Sequence, residues 1–236
     1  MSQKGTLYLL PVPISDFEPQ RYFSPYQFEL VQSLEHFIVE DAKTARRMLK
    51  FFNYHDLSKA HLSLLNEHTR DGYLGSLLDP LKNGLNVGLM SDAGCPGIAD
   101  PGAEVVKLAH AAGIKVVPLA GPSSIVLSIM ASGFNGQNFA FTGYLPVDAS
   151  ARVKRIRELQ AQANKFRQAQ FFIETPYRNQ PLFDSLLQTL EAHTLLYVGK
   201  NLGASDEEIK VKSVAEWKKG IAPDLHKVPV VFGIYR

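Results

Sequence analysis

Short apolar runs alternate with longer amphipathic segments along the first half of the chain. The runs that predict strands are residues 6–10, 37–40, 61–65, 85–90 and 114–119. Amphipathic segments at 24–37, 41–52, 72–83 and 102–112 predict helices between them. Ser24 followed by Pro25 is typical of a helix N-cap and first helical residue. This alternation predicts a parallel sheet wrapped by helices.

The second half continues the alternation but ends differently. Helices are predicted at 123–132, 150–168 and 180–193, and strands at 139–145, 170–174 and 194–199. The last two apolar runs, 209–214 and 228–236, have little helix between them, which predicts a mixed sheet. The join between the halves falls at 120–122. We therefore expect an α/β fold of two domains, residues 1–120 and 121–236, with a cleft between them.

Composition narrows the classes of protein that fit. The formal net charge of +2 is far from that of a nucleic-acid packaging protein. The single cysteine, Cys95, allows no internal disulfide and fits a reducing cytosol. Prolines break the apolar run near the N-terminus, and no later run reaches the length of a membrane span. These features predict a cytoplasmic protein with no membrane segment.

Residues 91–102, SDAGCPGIADPG, follow a predicted strand directly and combine glycine, proline and aspartate. Ligands of open α/β sheets bind beyond the carboxyl ends of the strands. Gly94 and Gly97 allow positive φ angles and close approach of a ligand. Asp100 and Pro101 predict the N-cap and first residue of the next helix. A capped turn would explain part of this pattern, but its acids and glycines together favour a ligand-binding loop.

The commoner ligand motifs are absent from the sequence. It has no GxxxxGK[ST] phosphate loop, no GxGxxG after the first strand and no GxSxG nucleophile elbow. Its histidines are scattered, and neither HExxH nor CxxC occurs, so we predict no metal site.

Several ordered stretches resemble the tetrapyrrole methylase-like superfamily of S-adenosylmethionine-dependent methyltransferases, and within it the small-subunit rRNA cytidine 2′-O-ribose methyltransferases. The stretches are GTLYLLPVPI at 5–14, EDAKTARRML at 40–49, LNEH at 65–68, SDAGCPGIADPG at 91–102, KVVPLAGPSS at 115–124, FAFTGYLP at 139–146 and FFIETPYR at 171–178. The resemblance implies two α/β domains with S-adenosylmethionine in the cleft between them, and a homodimer. It also implies RNA, or the small ribosomal subunit, as a partner.

The same resemblance implies cofactor contacts. The methionine part of S-adenosylmethionine would lie on the loop Asp92, Ala93, Gly94 and Cys95, with Ile14 across the cleft. Ser123 and Ser124 would line the same cavity, and Glu174 would lie near the adenosine. Cys95 stands where the relatives usually carry threonine, and a small loop residue without redox chemistry is the favoured interpretation.

The chain departs from the family at Ser15-Asp16, where the relatives usually have Gly-Asn, and at 200–204, where they have Arg-Glu-Leu-Thr-Lys. These departures affect presumed substrate motifs more than cofactor motifs. Two alternatives therefore stay open beside RNA methylation: a methyltransferase acting on a tetrapyrrole or another small metabolite, and a catalytically inactive regulator that binds S-adenosylmethionine.

The catalytic candidates and the RNA-binding candidates can each also be explained by a purely structural role. Glu40, Asp41 and Arg46 keep the family pattern E-D-x-x-x-x-R and could assist a weak ribose nucleophile, but the same residues suit a helix start. Residues 151–167 predict a basic helix, with Val153, Ile156 and Leu159 facing the core. Its outward cations could track RNA phosphates or simply be solvated. Those chosen as RNA contacts are Arg152, Arg155 and Arg157.

Overall fold

The computed structural model describes residues 3–15, 21–65 and 71–236. It divides into two compact units, Met1–Ser123 and Ser124–Arg236, referred to below as the first and second units. The sequence places the boundary between residues 120 and 121. Asp16 and residues 66–68 of the stretch LNEH, both named in the sequence analysis, lie outside the described residues.

The first unit is built on a parallel five-stranded sheet of order β3-β2-β4-β1-β5. Its strands are β1 (Thr6–Leu9), β2 (His36–Val39), β3 (His61–Leu64), β4 (Val87–Met90) and β5 (Lys115–Pro118). Its helices are α1 (Pro25–Ser33), α2 (Ala42–Phe51), α3 (Asp71–Leu74), α4 (Asp79–Lys82) and α5 (Gly102–Ala111). The parallel sheet predicted from the sequence is therefore present.

Two apolar clusters cover the two faces of this sheet. On one face, Val31 of α1 and Leu49 of α2 pack with Leu10 and Phe37. On the other, Val105 of α5 and Leu81 of α4 pack with Leu7. Helices on both faces bury the central strands β2 and β4, which is why these two strands read as nearly continuous apolar runs rather than alternating ones.

The helix predicted over 72–83 is wrong in its continuity. The chain forms α3, a short 3-10 turn at Ser76–Leu78 and then α4, so the helical segment is broken near Gly75. Glycine is a poor helix former, and Pro80 at the start of α4 cannot donate the backbone hydrogen bond that a continuous helix requires. Local chemistry therefore overrides the amphipathic pattern here.

The second unit contains a five-stranded sheet of order β6-β7-β10-β8-β9. Its strands are β6 (Phe139–Tyr144), β7 (Ala169–Ile173), β8 (Leu195–Lys200), β9 (Glu208–Ser213) and β10 (Val230–Tyr235). Its helices are α6 (Ser124–Ser132), α7 (Ala149–Phe166), α8 (Asn179–Thr189) and α9 (Val214–Lys219). Strands β6 and β7 pair in parallel and the other neighbours pair antiparallel, so the predicted mixed sheet is confirmed.

The core of the second unit lies between its sheet and the helices α7, α8 and α9. Ile156, Phe183 and Trp217 from these helices pack against Phe172 and Phe232 of the sheet. The indole N–H of Trp217 donates to the Leu196 carbonyl at 2.9 Å. Among the described residues, no helix is long and apolar enough to cross a membrane.

Candidate active site

The candidate site lies at the carboxyl edge of the first sheet. From β1 the chain leaves toward β2, and from the neighbouring β4 it leaves toward β5, on the opposite side. The two connections pass each other on opposite faces of the sheet, with α1 on one face and α5 on the other, and ligands of open α/β sheets bind where neighbouring strands send their loops to opposite faces. The loops after β1, β2, β4 and β5 all reach this edge. The loop that the sequence singled out, residues 91–102, is therefore one wall of a larger arrangement.

The loops after β1 and β4 are joined by an isolated antiparallel bridge between Val12 and Gly94. Val12 N–H donates to the Gly94 carbonyl at 2.9 Å, and Gly94 N–H donates back at 3.2 Å. Gly94 has φ +77°, and a β-carbon built on it would lie 3.3 Å from Ile14 Cγ2 and 3.6 Å from the Pro122 carbonyl oxygen. Glycine at 94 thus keeps open the space between Ile14 and Pro122.

The loop after β5 meets the same wall. The Cys95 thiol donates to the Pro122 carbonyl oxygen, with 3.4 Å between Sγ and O, and the Gly121 carbonyl oxygen is 3.8 Å from Sγ. Burial raises the pKa of the Cys95 thiol, and the nearby Asp100 carboxylate adds to this rise. A thiol held in its neutral form is a poor nucleophile, which agrees with a packing role for Cys95.

The far end of the loop is fixed by Asp100. Its carboxylate accepts from the Gly97 N–H at 2.9 Å and from the Gly102 N–H at 2.7 Å. Helix α5 begins at Gly102 with Pro101 as its N-cap, so the expected start at Pro101 with Asp100 as N-cap is one residue early. Asp100 still satisfies the first N–H of the helix while it also holds the loop closed.

Two carboxylates meet where β2 and β4 end. Glu40 Oε1 accepts a hydrogen bond from the Asp92 backbone N–H at 3.0 Å. Burial raises the pKa of Glu40, and the Asp92 and Asp100 charges add to the rise against the opposing hydrogen bond from Asp92. The pKa of Asp92 is also raised: although the residue is exposed overall, its carboxyl is partly desolvated, the Asp41 charge adds to the rise, and Arg47 acts against it. This is a locally acidic corner that favours a cationic or hydroxyl-bearing ligand.

The other two catalytic candidates, Asp41 and Arg46, make their hydrogen bonds within α2. Asp41 is the N-cap of α2, and its side chain accepts from the Thr44 N–H at 2.7 Å, which holds the pKa of Asp41 below its usual value. Arg46 is exposed and its guanidinium reaches the Ala42 carbonyl of its own helix at 3.5 Å. The helix-start interpretation accounts for the contacts of both, and Glu40 is the one member of the motif that touches the ligand-binding loop.

The remaining cofactor candidates fall on both units. Ala93 is exposed and its carbonyl accepts from the Ser91 hydroxyl at 3.2 Å. Ser123 ends the first unit, and Ser124 begins α6 of the second. Glu174 follows β7 and is 5% exposed.

Glu174 is held firmly within the second unit. One of its carboxylate oxygens, Oε1, accepts from the Thr175 N–H at 2.7 Å and from Arg178 Nη2 at 2.6 Å. The hydrogen bond to Glu174 raises the pKa of Arg178 further above its ordinary value. This oxygen is therefore already engaged by two donors, and any contact of Glu174 with a ligand would fall to the other carboxylate oxygen.

The basic helix α7 is less uniformly exposed than its sequence suggests. Ile156 and Leu159 are fully buried as expected. Arg152 is half-buried, and its guanidinium donates to the Val147 carbonyl at 3.2 Å and the Ser185 hydroxyl at 3.4 Å. Arg155 is half-buried and pairs with Glu158 at 3.2 Å, whereas Arg157 is exposed. Arg157 therefore faces outward as expected, whereas Arg152 and Arg155 are partly covered and already have protein partners.

Sequence reasoning missed the partners that shape the site. Val12 and Pro122 lie inside recognised motifs, yet their contacts with Gly94 and Cys95 join distant segments. Ser15 departs from the family pattern, and its hydroxyl is buried and has no hydrogen-bond partner among the described residues. A buried hydroxyl of this kind, in the segment between β1 and α1, is a candidate ligand contact. Among all the residues that the structure describes, no three or more histidine, cysteine, aspartate or glutamate side chains lie close enough together to hold a metal ion.

Comparisons with known proteins bear on the fold and on the family. The fold is similar to that in the crystal structure of the methyltransferase CobJ, with a TM-score of 0.65 and 15% identity over 98% of this chain and 94% of that one. No protein-family model matches the chain. The α/β fold class expected from the resemblance is confirmed.

Sequence relatives narrow the class to a family. The chain is 30% identical over 218 residues to ribosomal RNA small subunit methyltransferase I of Vibrio cholerae, covering 92% of this chain and 72% of the relative. The Escherichia coli O157:H7 protein of the same name is 27% identical over 91% of this chain and 71% of its own. That of Halalkalibacterium halodurans is 32% identical over 79% and 61%. The chain belongs to the ribosomal RNA small subunit methyltransferase I family and is a methyltransferase.

Proposed function

We propose that this protein transfers a methyl group from S-adenosylmethionine to a ribose 2′-hydroxyl of small-subunit ribosomal RNA. The relatives' names support the substrate. The main support for a cofactor site is the contact between loops at the carboxyl edge of the sheet. There Val12 and Gly94 exchange backbone hydrogen bonds, and the Cys95 thiol donates a hydrogen bond to the Pro122 carbonyl. Three loops from different parts of the first unit thereby form one wall.

The residues present fit S-adenosylmethionine. The positive φ of Gly94 and the space that a β-carbon would take between Ile14 and Pro122 leave room for a ligand against the backbone. The exposed Asp92 carboxylate offers acceptors for an ammonium or for ribose hydroxyls, and the buried Ser15 hydroxyl offers a further polar contact. We propose Ile14, Asp92, Ala93, Gly94, Cys95 and Ser123 as contacts in the first unit, with Ser124 and Glu174 as further contacts in the second.

When bound, S-adenosylmethionine supplies an electrophilic methyl group on a sulfonium. The main contribution of this chain is to position the nucleophile. Holding it in line with the methyl group lowers the activation free energy by several kcal/mol, and by ~7–11 kcal/mol at the limit. Glu40 fixes the Asp92 backbone and contributes negative charge at the acidic corner. We name Glu40 as a positioning residue and assign no general base.

Tritium transfer from labelled S-adenosylmethionine to small ribosomal subunits lacking the modification tests this function. We expect label in the RNA, and 2′-O-methylcytidine on nucleoside mass spectrometry. A tetrapyrrole precursor is the parallel substrate. Label only in that precursor would replace RNA with a small metabolite. Calorimetric binding of S-adenosylmethionine without transfer to either would favour the inactive regulator.

We also propose that the protein is a homodimer, as the family resemblance implies. In support, α6 exposes large apolar side chains, with Met130 74% exposed. Isolated exposed methionines are common, so the test is the mass in solution by analytical ultracentrifugation. A monomer mass across a wide concentration range would overturn this proposal and leave the enzymatic one intact.

A further inference from the structure

A cavity of about 480 Å³ opens beside the loop that follows β5, within the first unit. Its volume lies within the roughly 300–1,000 Å³ of small-ligand sites. The side chains of its wall come from the segment leading into α1 and from the first turn of that helix. The lining residues are Arg21, Tyr22, Ser24, Tyr26 and Gln27 from this wall, with Leu119, Ala120 and Gly121 as the floor.

The wall presents flat aromatic and guanidinium surfaces. The Arg21 guanidinium lies over the Tyr22 ring, with 5.6 Å from its carbon to the ring centroid. Tyr22 is half-buried against the core, and Tyr26 on the first turn of α1 is 56% exposed. Single-stranded nucleotides are bound by stacking bases on such aromatic and arginine planes. An exposed tyrosine beside the Arg21–Tyr22 cation–π pair is thus suited to a nucleobase.

Wall and floor are tied together by a buried glutamine. Gln27 is 7% exposed, and its Nε2 donates to the Ala120 carbonyl at 2.6 Å. Its Oε1 accepts from the Ser24 N–H at 2.8 Å and from the Ser24 hydroxyl at 3.2 Å. Since one side chain bonds both the start of α1 and the β5 loop, the cavity is held in shape before a ligand arrives.

The charge at the cavity favours an anionic ligand. Arg21 supplies a full positive charge, and the first turn of α1 carries no acidic residue to cancel the positive end of the helix. A neutral apolar molecule would use the tyrosines but would gain nothing from these charges. A nucleotide uses both, with its base on the aromatic surface and its phosphate near the guanidinium.

The floor of the cavity is also a wall of the proposed cofactor site. Gly121 lines the cavity, and its carbonyl oxygen and that of Pro122 face the Cys95 thiol. A β-carbon on Gly121 would overlap Pro11 of the β1 loop, so the segment is also packed tightly against that loop. A substrate for methyl transfer must lie next to the cofactor, and Gly121 both lines this cavity and contacts Cys95 of the proposed cofactor loop.

We propose that this cavity binds one nucleotide of the RNA substrate, with the base stacked on Tyr26 and the phosphate paired with Arg21. The inference rests on the proposed function, because it takes RNA as the substrate. It adds a stacking subsite that is separate from the basic face of α7.

Fluorescence anisotropy with a short fluorescein-labelled single-stranded RNA tests this subsite. The variants are Tyr26→Ala, Tyr26→Phe and Arg21→Ala, and Tyr73→Ala, an exposed tyrosine of α3 outside the cavity, is the matched control. We expect Tyr26→Ala to weaken RNA binding at least about fivefold, the lower end for one lost base stack. Tyr26→Phe and Tyr73→Ala should bind as wild type. For Arg21→Ala, the slope of log RNA affinity against log salt concentration should be smaller in magnitude by about 0.7.

Calorimetry with S-adenosylmethionine and tritium transfer to small ribosomal subunits separate the possible failures. Wild-type RNA affinity for Tyr26→Ala, with transfer intact, would overturn the subsite and leave the proposed function standing. If Tyr26→Ala loses S-adenosylmethionine affinity while its RNA affinity is unchanged, the cavity is part of the cofactor site, and the proposed RNA subsite is wrong. If wild type neither binds RNA nor labels it, both the subsite and RNA methylation fail.

Discussion

Val12 and Gly94 exchange both of their backbone hydrogen bonds, at 2.9 and 3.2 Å, and so join the loops after β1 and β4. This bridge lies outside the named strands and has no continuation on either side. It places Gly94, with its φ of +77°, against Ile14 and Pro122. The proposed cofactor wall therefore depends on a residue that few side chains could replace.

Replacing Gly94 with valine should abolish S-adenosylmethionine binding. The added side chain would fill the space beside Ile14, and a positive φ costs a non-glycine residue about 1–2 kcal/mol. Gly133→Val is the matched control, because Gly133 has φ +68° and a β-carbon there would meet nothing within 4 Å. We expect calorimetric binding to survive in the control and thermal stability to drop in both variants. Equal cofactor affinity in the two variants would contradict the site.

Replacing Cys95 with threonine should change cofactor affinity by less than about tenfold, or ~1.4 kcal/mol. A threonine hydroxyl can donate to the Pro122 carbonyl as the thiol does. Cys95→Val has nearly the same shape without a donor, so its affinity should be lower than that of the threonine variant by the ~0.5–1.5 kcal/mol of a hydrogen bond. Complete loss of methyl transfer in Cys95→Thr would show that the thiol has a chemical role.

Replacing Glu40 with glutamine should stabilise the protein more at neutral than at acidic pH. Burial raises the pKa of Glu40 above its ordinary 4.5, so the folded protein keeps this proton where the unfolded chain has lost it. The free energy of unfolding therefore falls as pH rises through that interval, and glutamine removes the effect while its oxygen can still accept from Asp92.

Thermal unfolding between about pH 4 and about pH 7 checks this expectation. The melting temperature of Glu40→Gln minus that of wild type should become more positive as pH rises. Glu29→Gln, at an exposed glutamate of α1, controls for the loss of a charge. A difference that is constant or falls with pH would contradict the buried-carboxylate account.

Changing Arg152, Arg155 and Arg157 of α7 to glutamate should weaken RNA binding and flatten its salt dependence, with S-adenosylmethionine affinity retained. Arg157 is exposed, so Arg157→Glu alone should show the RNA effect without loss of stability. Arg152→Glu should also lower the melting temperature, because the guanidinium holds Val147 and Ser185. Each lost phosphate contact should reduce the salt slope by about 0.7–0.9.

Lys219→Glu on α9 makes the same change of charge at another exposed site of the second unit. Equal RNA affinities for Arg157→Glu and Lys219→Glu would assign the effect to net charge and remove α7 from RNA binding. Transfer to small ribosomal subunits at the wild-type rate by the triple variant would do the same.

Local sequence determined the elements and the family. The strands lie on the predicted apolar runs, which end at glycine, proline or polar residues. Helix α1 begins at Ser24-Pro25 as predicted. Conformational preferences of single residues act over one or two turns, so these features can be read directly. The loop 91–102 was recognisable for the same reason, since its glycines and Asp100 interact within the loop itself.

Tertiary structure decided which residues meet. Glu40 and Asp92 are 52 positions apart, and Cys95 and Pro122 are 27 apart, yet both pairs are in contact. Parallel strand order brings these loops together, and that order follows from packing both sheet faces rather than from any local pattern. The orientation of Arg152 was likewise set by its contacts with Val147 and Ser185, whereas the break in the helix predicted over 72–83 has a local cause in Gly75 and Pro80. Sequence thus gives the chemical groups, and the packed sheet determines which of them share a site.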